Sequence, residues 1–135
     1  MKTKQTRGKG YLSLVSALLM VAPAAAFANE QDCLSLINQI TAQNDLAILD
    51  DAVLLPAEAR LLNQSAASTL FAQATSKCAD LPNGAVVVSD LGAAAGELVI
   101  AADLNGSEDT ISASAHEATA TVYFEVADTD VLIGL

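Results

Sequence analysis

The chain has 135 residues, of which only 4% are aromatic and none is Trp; six basic residues face sixteen acidic ones, for a formal net charge of −10. A chain of this length makes one small domain with a single modest core. It lacks the Lys and Arg that neutralise phosphate, which excludes nucleic acid and anionic lipid as partners, and it lacks the aromatic platforms on which single-stranded bases stack.

Residues 1–10 carry Lys2, Lys4, Arg7 and Lys9 and no acid; residues 11–22, YLSLVSALLMVA, are apolar; Pro23 interrupts them and Ala26-Phe27-Ala28 follows. A basic, an apolar and a small-residue segment in that order predict a secretory signal peptide over 1–28, cut between Ala28 and Asn29. An uncleaved anchor is the alternative, but a proline-interrupted run of this length lies at the short end of what spans a bilayer. The predicted mature chain is one domain, 29–135, with no membrane association. It keeps Arg60 and Lys77 against all sixteen acids, a net charge of −14. Such acidity keeps an Ala-rich chain dispersed, and it also suits a cationic partner, divalent ions or a salty medium.

The next stretch, 29–80, reads as helical. Cys33, Leu36, Ile37 and Ile40 recur at helical spacing, with Asn29 or Asp32 as caps. Asp50-Asp51 reads as a helix entry or a loop, and Pro56 suits a first helical turn. Leu62, Ala66, Leu70 and Ala74 form one stripe, with Phe71 beside it. Cys33 and Cys78 are the only cysteines. In an exported chain they are expected to pair, worth ~4 kcal/mol by loop entropy, and with no C-x-x-C and a single His they do not form a zinc site of the usual type.

Pro82-Asn83-Gly84 divides the chain, and 84–135 reads as strand-rich. AVVVS (85–89) and ELVIAADL (97–104) are short apolar runs joined by LGAAAG. Asn105-Gly106 begins a turn drawn as a loop from Asn105 to Asp109. TISASAHE and TATVYFEV alternate, with Ala120, Val122, Phe124 and Val126 assigned to one face, and VLIGL is a fifth segment. The expected fold class is therefore α+β: N-terminal helices tied by one disulfide, packed on a C-terminal antiparallel β-sheet.

Three patterns invite chemistry. Asp103, Asn105, Ser107 and Asp109 place oxygen ligands at every second position, like the opening of a calcium loop. The glycine stands at 106 rather than 108, however, and the twelfth position is Ser114 rather than Glu, so an ordinary polar loop is the preferred reading. His116, the only histidine, shares a predicted strand face with Ser112 and Ser114, yet no nucleophile elbow accompanies it. Gly92-Ala-Ala-Ala-Gly96 has the spacing of close-packed helices, but acids flank it and it is assigned to a connection. No cofactor is implied. The function expected from these readings is a small cell-envelope or secreted protein acting by contact with a protein partner or by self-association. A small hydrolase using His116 or an acidic pair, and a divalent-ion binder at 103–109, are the alternatives.

Overall fold

A computed structural model describes the backbone of residues 17–134 and the side chains of residues 29–134. Every regular element among them is helical: α1 (Ala17–Ala52), α2 (Pro56–Thr69), a π turn (Leu70–Ala74), α3 (Thr75–Cys78), α4 (Gly84–Gly106) and α5 (Thr110–Ile133). With the π turn, α2 and α3 make one continuous rod. Four rods therefore run up and down with short connections. The first packs on the second and fourth, and the third packs on the same two, which sets the order around the bundle as α1, α2–α3, α4, α5.

The fold follows from a seven-residue repeat. Buried positions in α1 are Glu30, Cys33, Ile37, Ile40, Asn44, Ala47 and Asp51. In α5 they are Ala113, Glu117, Ala120, Phe124, Ala127 and Val131, and α4 has the same spacing from Gly84 to Asn105. Alternating steps of three and four keep one stripe facing the partners, the pattern of bundles packed knobs into holes. Large residues (Ile37, Ile40, Leu70, Leu91, Leu98, Phe124) fill the middle layers, and alanines bring the rods close elsewhere.

The rod of α2 and α3 departs from the repeat once. Ala59, Asn63, Ala66 and Leu70 keep it; Ala74 and Cys78 then follow at steps of four. The π turn inserts the extra residue, with Thr75 N–H and Thr75 Oγ1 (3.0 Å) both bonded to Leu70 O. Without it, Lys77 rather than Cys78 would face the core. With it, Cys78 meets Cys33 in the expected disulfide, Cα–Cα 5.0 Å.

The expected antiparallel sheet is absent: the described residues contain no strand, and 84–133 forms α4 and α5. The runs read as strands obey a helical period as well. In TATVYFEV, Phe124 is buried with Ala120 and Ala127, whereas Val122 and Val126 are exposed, so the alternating face does not exist. AVVVS and ELVIAADL are both stretches of α4, and their β-branched content is overridden by packing on two rods. Val131–Ile133 of VLIGL are the last turn of α5, and Val131 is the buried one of the three. Asp50-Asp51 lies in the final turn of α1, and Phe71, placed beside the core stripe, is exposed. The predicted start of a helix at Asn29 or Asp32 is also corrected, because α1 runs through both, as it does through the Ala28–Asn29 junction. Residues 1–16 of the leader lie outside the described residues.

Candidate functional site

Five polar side chains occupy core positions at the end of the bundle where α1 turns into α2 and α4 into α5. Asn44 and Asp51 come from α1, Asn63 from α2, Asn105 from α4 and Glu117 from α5; all are at most 4% exposed. Each takes the same place in the repeat, one whole heptad separating the two on α1. Side chains on a helix lean toward its N-terminus, so Glu117 points toward the turns.

Glu117 is the hub. Its Oε2 accepts from Asn63 Nδ2 at 2.6 Å and from Asn105 Nδ2 at 3.4 Å. Asn44 Nδ2 donates to the backbone carbonyl of Glu117 at 2.9 Å and to Thr121 Oγ1 at 3.0 Å. The Asp51 carboxyl lies within hydrogen-bonding reach of the Glu117 carboxyl. Burial, followed by that acid neighbour, pushes the Glu117 carboxyl up to about 8, although the two amides that donate to it act the other way.

Donors and acceptors do not balance in this layer. Every amide N–H₂ is used, yet apart from a proton held between the two acids no donor among the described residues reaches Asn44 Oδ1, Asn63 Oδ1, Asn105 Oδ1, Glu117 Oε1 or either oxygen of Asp51. Two shallow depressions flank the cluster. One, of about 550 Å³, is lined by Asp51 with Leu54, Ile111 and Ser114. The other, about 290 Å³, is lined by Asn105 with Arg60, Leu61 and Glu108. Both connecting turns here hold a left-handed residue that is not glycine, Leu54 (φ 61°) and Glu108 (φ 62°). A polar layer of this kind fixes register and rod orientation, because any slip would leave the polar groups against alanine.

The positions singled out in the sequence separate. Asp103 is exposed on α4. Asn105 is turned inward onto Glu117. Asp109 caps α5, accepting from Ser112 N–H at 3.2 Å. Ser107 Oγ donates to the backbone carbonyl of Asp103, so the 103–109 segment gathers no ligand set. His116 Nδ1 lies 2.6 Å from Glu97 Oε1 across the α4–α5 seam, and among the described residues no serine hydroxyl bonds to it. Ser112 does stand one turn before His116 on α5, but Ser114 does not. A second pair of acids sits nearer the other end, where burial and Asp130 push Asp90 up to about 6. Among the described residues no three His, Cys, Asp or Glu side chains converge as metal ligands. Asn44, Asp51, Asn63 and Glu117 escaped the sequence reading. The seven-residue spacing of Asn44 and Asp51 inside an apolar register was the available signal.

The outer surface of α4 is a separate feature. Its side away from the bundle presents Ala85, Val86, Ser89, Gly92, Ala93, Gly96, Val99 and Ile100, with no charged residue among them. Val86, Val99 and Ile100 are exposed. A Cβ added at Gly92 or Gly96 would meet nothing within 4 Å. The two acids within that span, Asp90 and Glu97, are directed at the α5 seam instead. By length and composition α4 is also the one described helix apolar enough to cross a membrane.

The chain matches no protein-family model, no curated protein and no solved structure.

Proposed function

We propose that this is an exported, disulfide-tied four-helix bundle of the cell envelope or secreted space that works by protein contact, with the outer face of α4 as its contact surface. The observation that carries the reading is the uncharged span of that face. On a chain this acidic, most surfaces repel a second copy of themselves. The outer face of α4 carries no charged side chain between residues 85 and 102, while exposed Val86, Val99 and Ile100 offer apolar area. Gly92 and Gly96 let another helix approach closely, as small residues four apart do in tightly packed pairs. The occupant proposed is a second copy, α4 crossing α4 about a two-fold axis at those glycines. Export rests on the leader pattern and agrees with a disulfide that needs an oxidising compartment. The hydrolase reading loses ground because His116 is engaged by Glu97 rather than by a serine.

Sedimentation velocity over a concentration series up to about 100 µM, well above the Kd of most stable dimers, tests the contact. The wild type is expected to dimerise. Val99→Glu and Gly96→Leu are expected to be monomeric with unchanged helical circular dichroism, since neither position packs inside the bundle. A monomeric wild type, or variants that dimerise equally well, would refute the reading. Intact mass of protein recovered from the envelope and medium tests export: a chain beginning at Asn29 is expected, and one retaining Met1 would refute cleavage.

A further inference from the structure

The polar layer carries more than register. We propose that Asp51, Glu117 and the amide oxygens of Asn63 and Asn105 bind a hard divalent cation of calcium's class in the core of the bundle. The warrant is the imbalance described above: six buried oxygens on five side chains, none reached by an amide, hydroxyl or backbone donor among the described residues. One proton shared between Asp51 and Glu117 satisfies only two of those atoms. A cation draws on carboxylate and amide oxygens together, since each is a ligand as it stands. Two carboxylates match a double positive charge.

The chemistry of the donor set selects the ion. All candidate ligands are oxygens, and no sulfur or imidazole is present, which disfavours zinc and copper. Amide and carboxylate oxygens in irregular arrangement suit calcium, which accepts six to eight ligands in flexible geometry, better than magnesium, which holds on to its water. Turning over the Asn63 or Asn105 amide exchanges its nitrogen for its oxygen with little movement of other atoms, so the same two residues serve with or without the ion. The depressions lined by Asp51 and by Asn105 give approaches from two sides. This site differs from the 103–109 acidic loop: it uses Asn105 but neither Asp103 nor Asp109.

The test uses the full disulfide-bonded chain, stripped with chelator and dialysed against calcium chloride, magnesium chloride or sodium chloride. Equilibrium dialysis is expected to find one calcium per chain. The melting midpoint should rise with the logarithm of free calcium once the site saturates, with a smaller response to magnesium and none to sodium at equal ionic strength. Asp51→Asn, close to isosteric, should abolish both binding and the midpoint shift, and Asp103→Asn should change neither. Absence of bound calcium in the wild type would overturn the proposal, and it does so whether or not any variant folds. A midpoint shift that survives in Asp51→Asn, or is lost in Asp103→Asn, would also overturn it, pointing to surface screening or to the loop.

Discussion

Glu117→Gln in chelator isolates the most heavily perturbed group in the bundle. Glu117 ordinarily titrates at 4.5, and burial beside Asp51 raises it to about 8 in the folded chain. Between those values the folded protein holds a proton that the unfolded chain has released. The stabilisation is therefore fully present below pH 4.5 and is lost as pH rises through 8. At ~1.4 kcal/mol per pH unit the whole interval is worth about 5 kcal/mol, an upper bound. That is a large share of the ~5–15 kcal/mol that holds such a domain together. Asp90, raised to about 6, acts with the same sign lower in the range, so the wild type loses stability at both steps and Glu117→Gln removes the upper one. The glutamine amide donates toward Asp51, as the protonated acid does, and its oxygen still accepts from Asn63 and Asn105.

Urea denaturation at pH 5, 7 and 9 reads this directly. With slopes of ~1–3 kcal/mol/M, a loss of several kcal/mol moves the wild-type midpoint down by one to a few molar units of urea. The variant should nearly match the wild type at pH 5, exceed it by most of the full difference at pH 7, and by the whole of it at pH 9, with no further divergence above about 8. Because both carry the same surface charges, general repulsion cancels in the comparison. Parallel curves for the two proteins would show that Glu117 titrates normally and would refute the picture of a dry, donor-poor layer.

Other expectations are simpler. Reducing the Cys33–Cys78 bond, or replacing both by Ala, should cost about 4 kcal/mol by loop entropy across its separation of 45 residues, seen as a lower urea midpoint. Gly84→Ala should cost on the order of 2 kcal/mol or more, because its Cβ would stand 2.1 Å from the backbone oxygen of Ala79 and neither backbone can yield without opening the α3–α4 connection; thermal melting checks it. Leu54→Gly should be stabilising by up to about 1 kcal/mol despite removing an apolar side chain, since Leu54 is left-handed at φ 61° and 72% exposed.

Half of this architecture was legible because its helices announce themselves. Cys33, Ile37 and Ile40, then Ala66, Leu70 and Ala74, stand at helical spacing in segments punctuated by Pro56 and Pro82, and the predicted disulfide follows from there being two cysteines in a chain whose leader reads as an export signal. Residues 84–133 misled for a physical reason. A helix that is apolar on nearly every side shows no contrast between its faces, so α4 breaks into short apolar runs bounded by Asp90, Glu97 and Asp103. In α5, residues alternating over 119–126 happen to share Ala120 and Phe124 with the true seven-residue stripe, and only Ala127 and Val131 reveal the longer period. Reading Asn105 and Glu117 as loop and strand residues then hid the core layer they share with Asn44, Asp51 and Asn63.

The same lack of contrast bears on what covers α4. A helix that is hydrophobic all round is normally buried all round. Here one half of α4 is buried against its neighbours in the bundle, through Leu91, Ala94, Leu98 and Ala101, and the other half, from Ala85 to Ile100, has no cover among the described residues. Ala and Gly on that side leave it too shallow to hold a small molecule, and its lack of charge gives it nothing to recognise an ion. The occupant proposed for it is another helix, close and apolar. In the proposed dimer the glycines that a connection between strands would have explained serve as the crossing point, four residues apart on an uncharged side of the bundle.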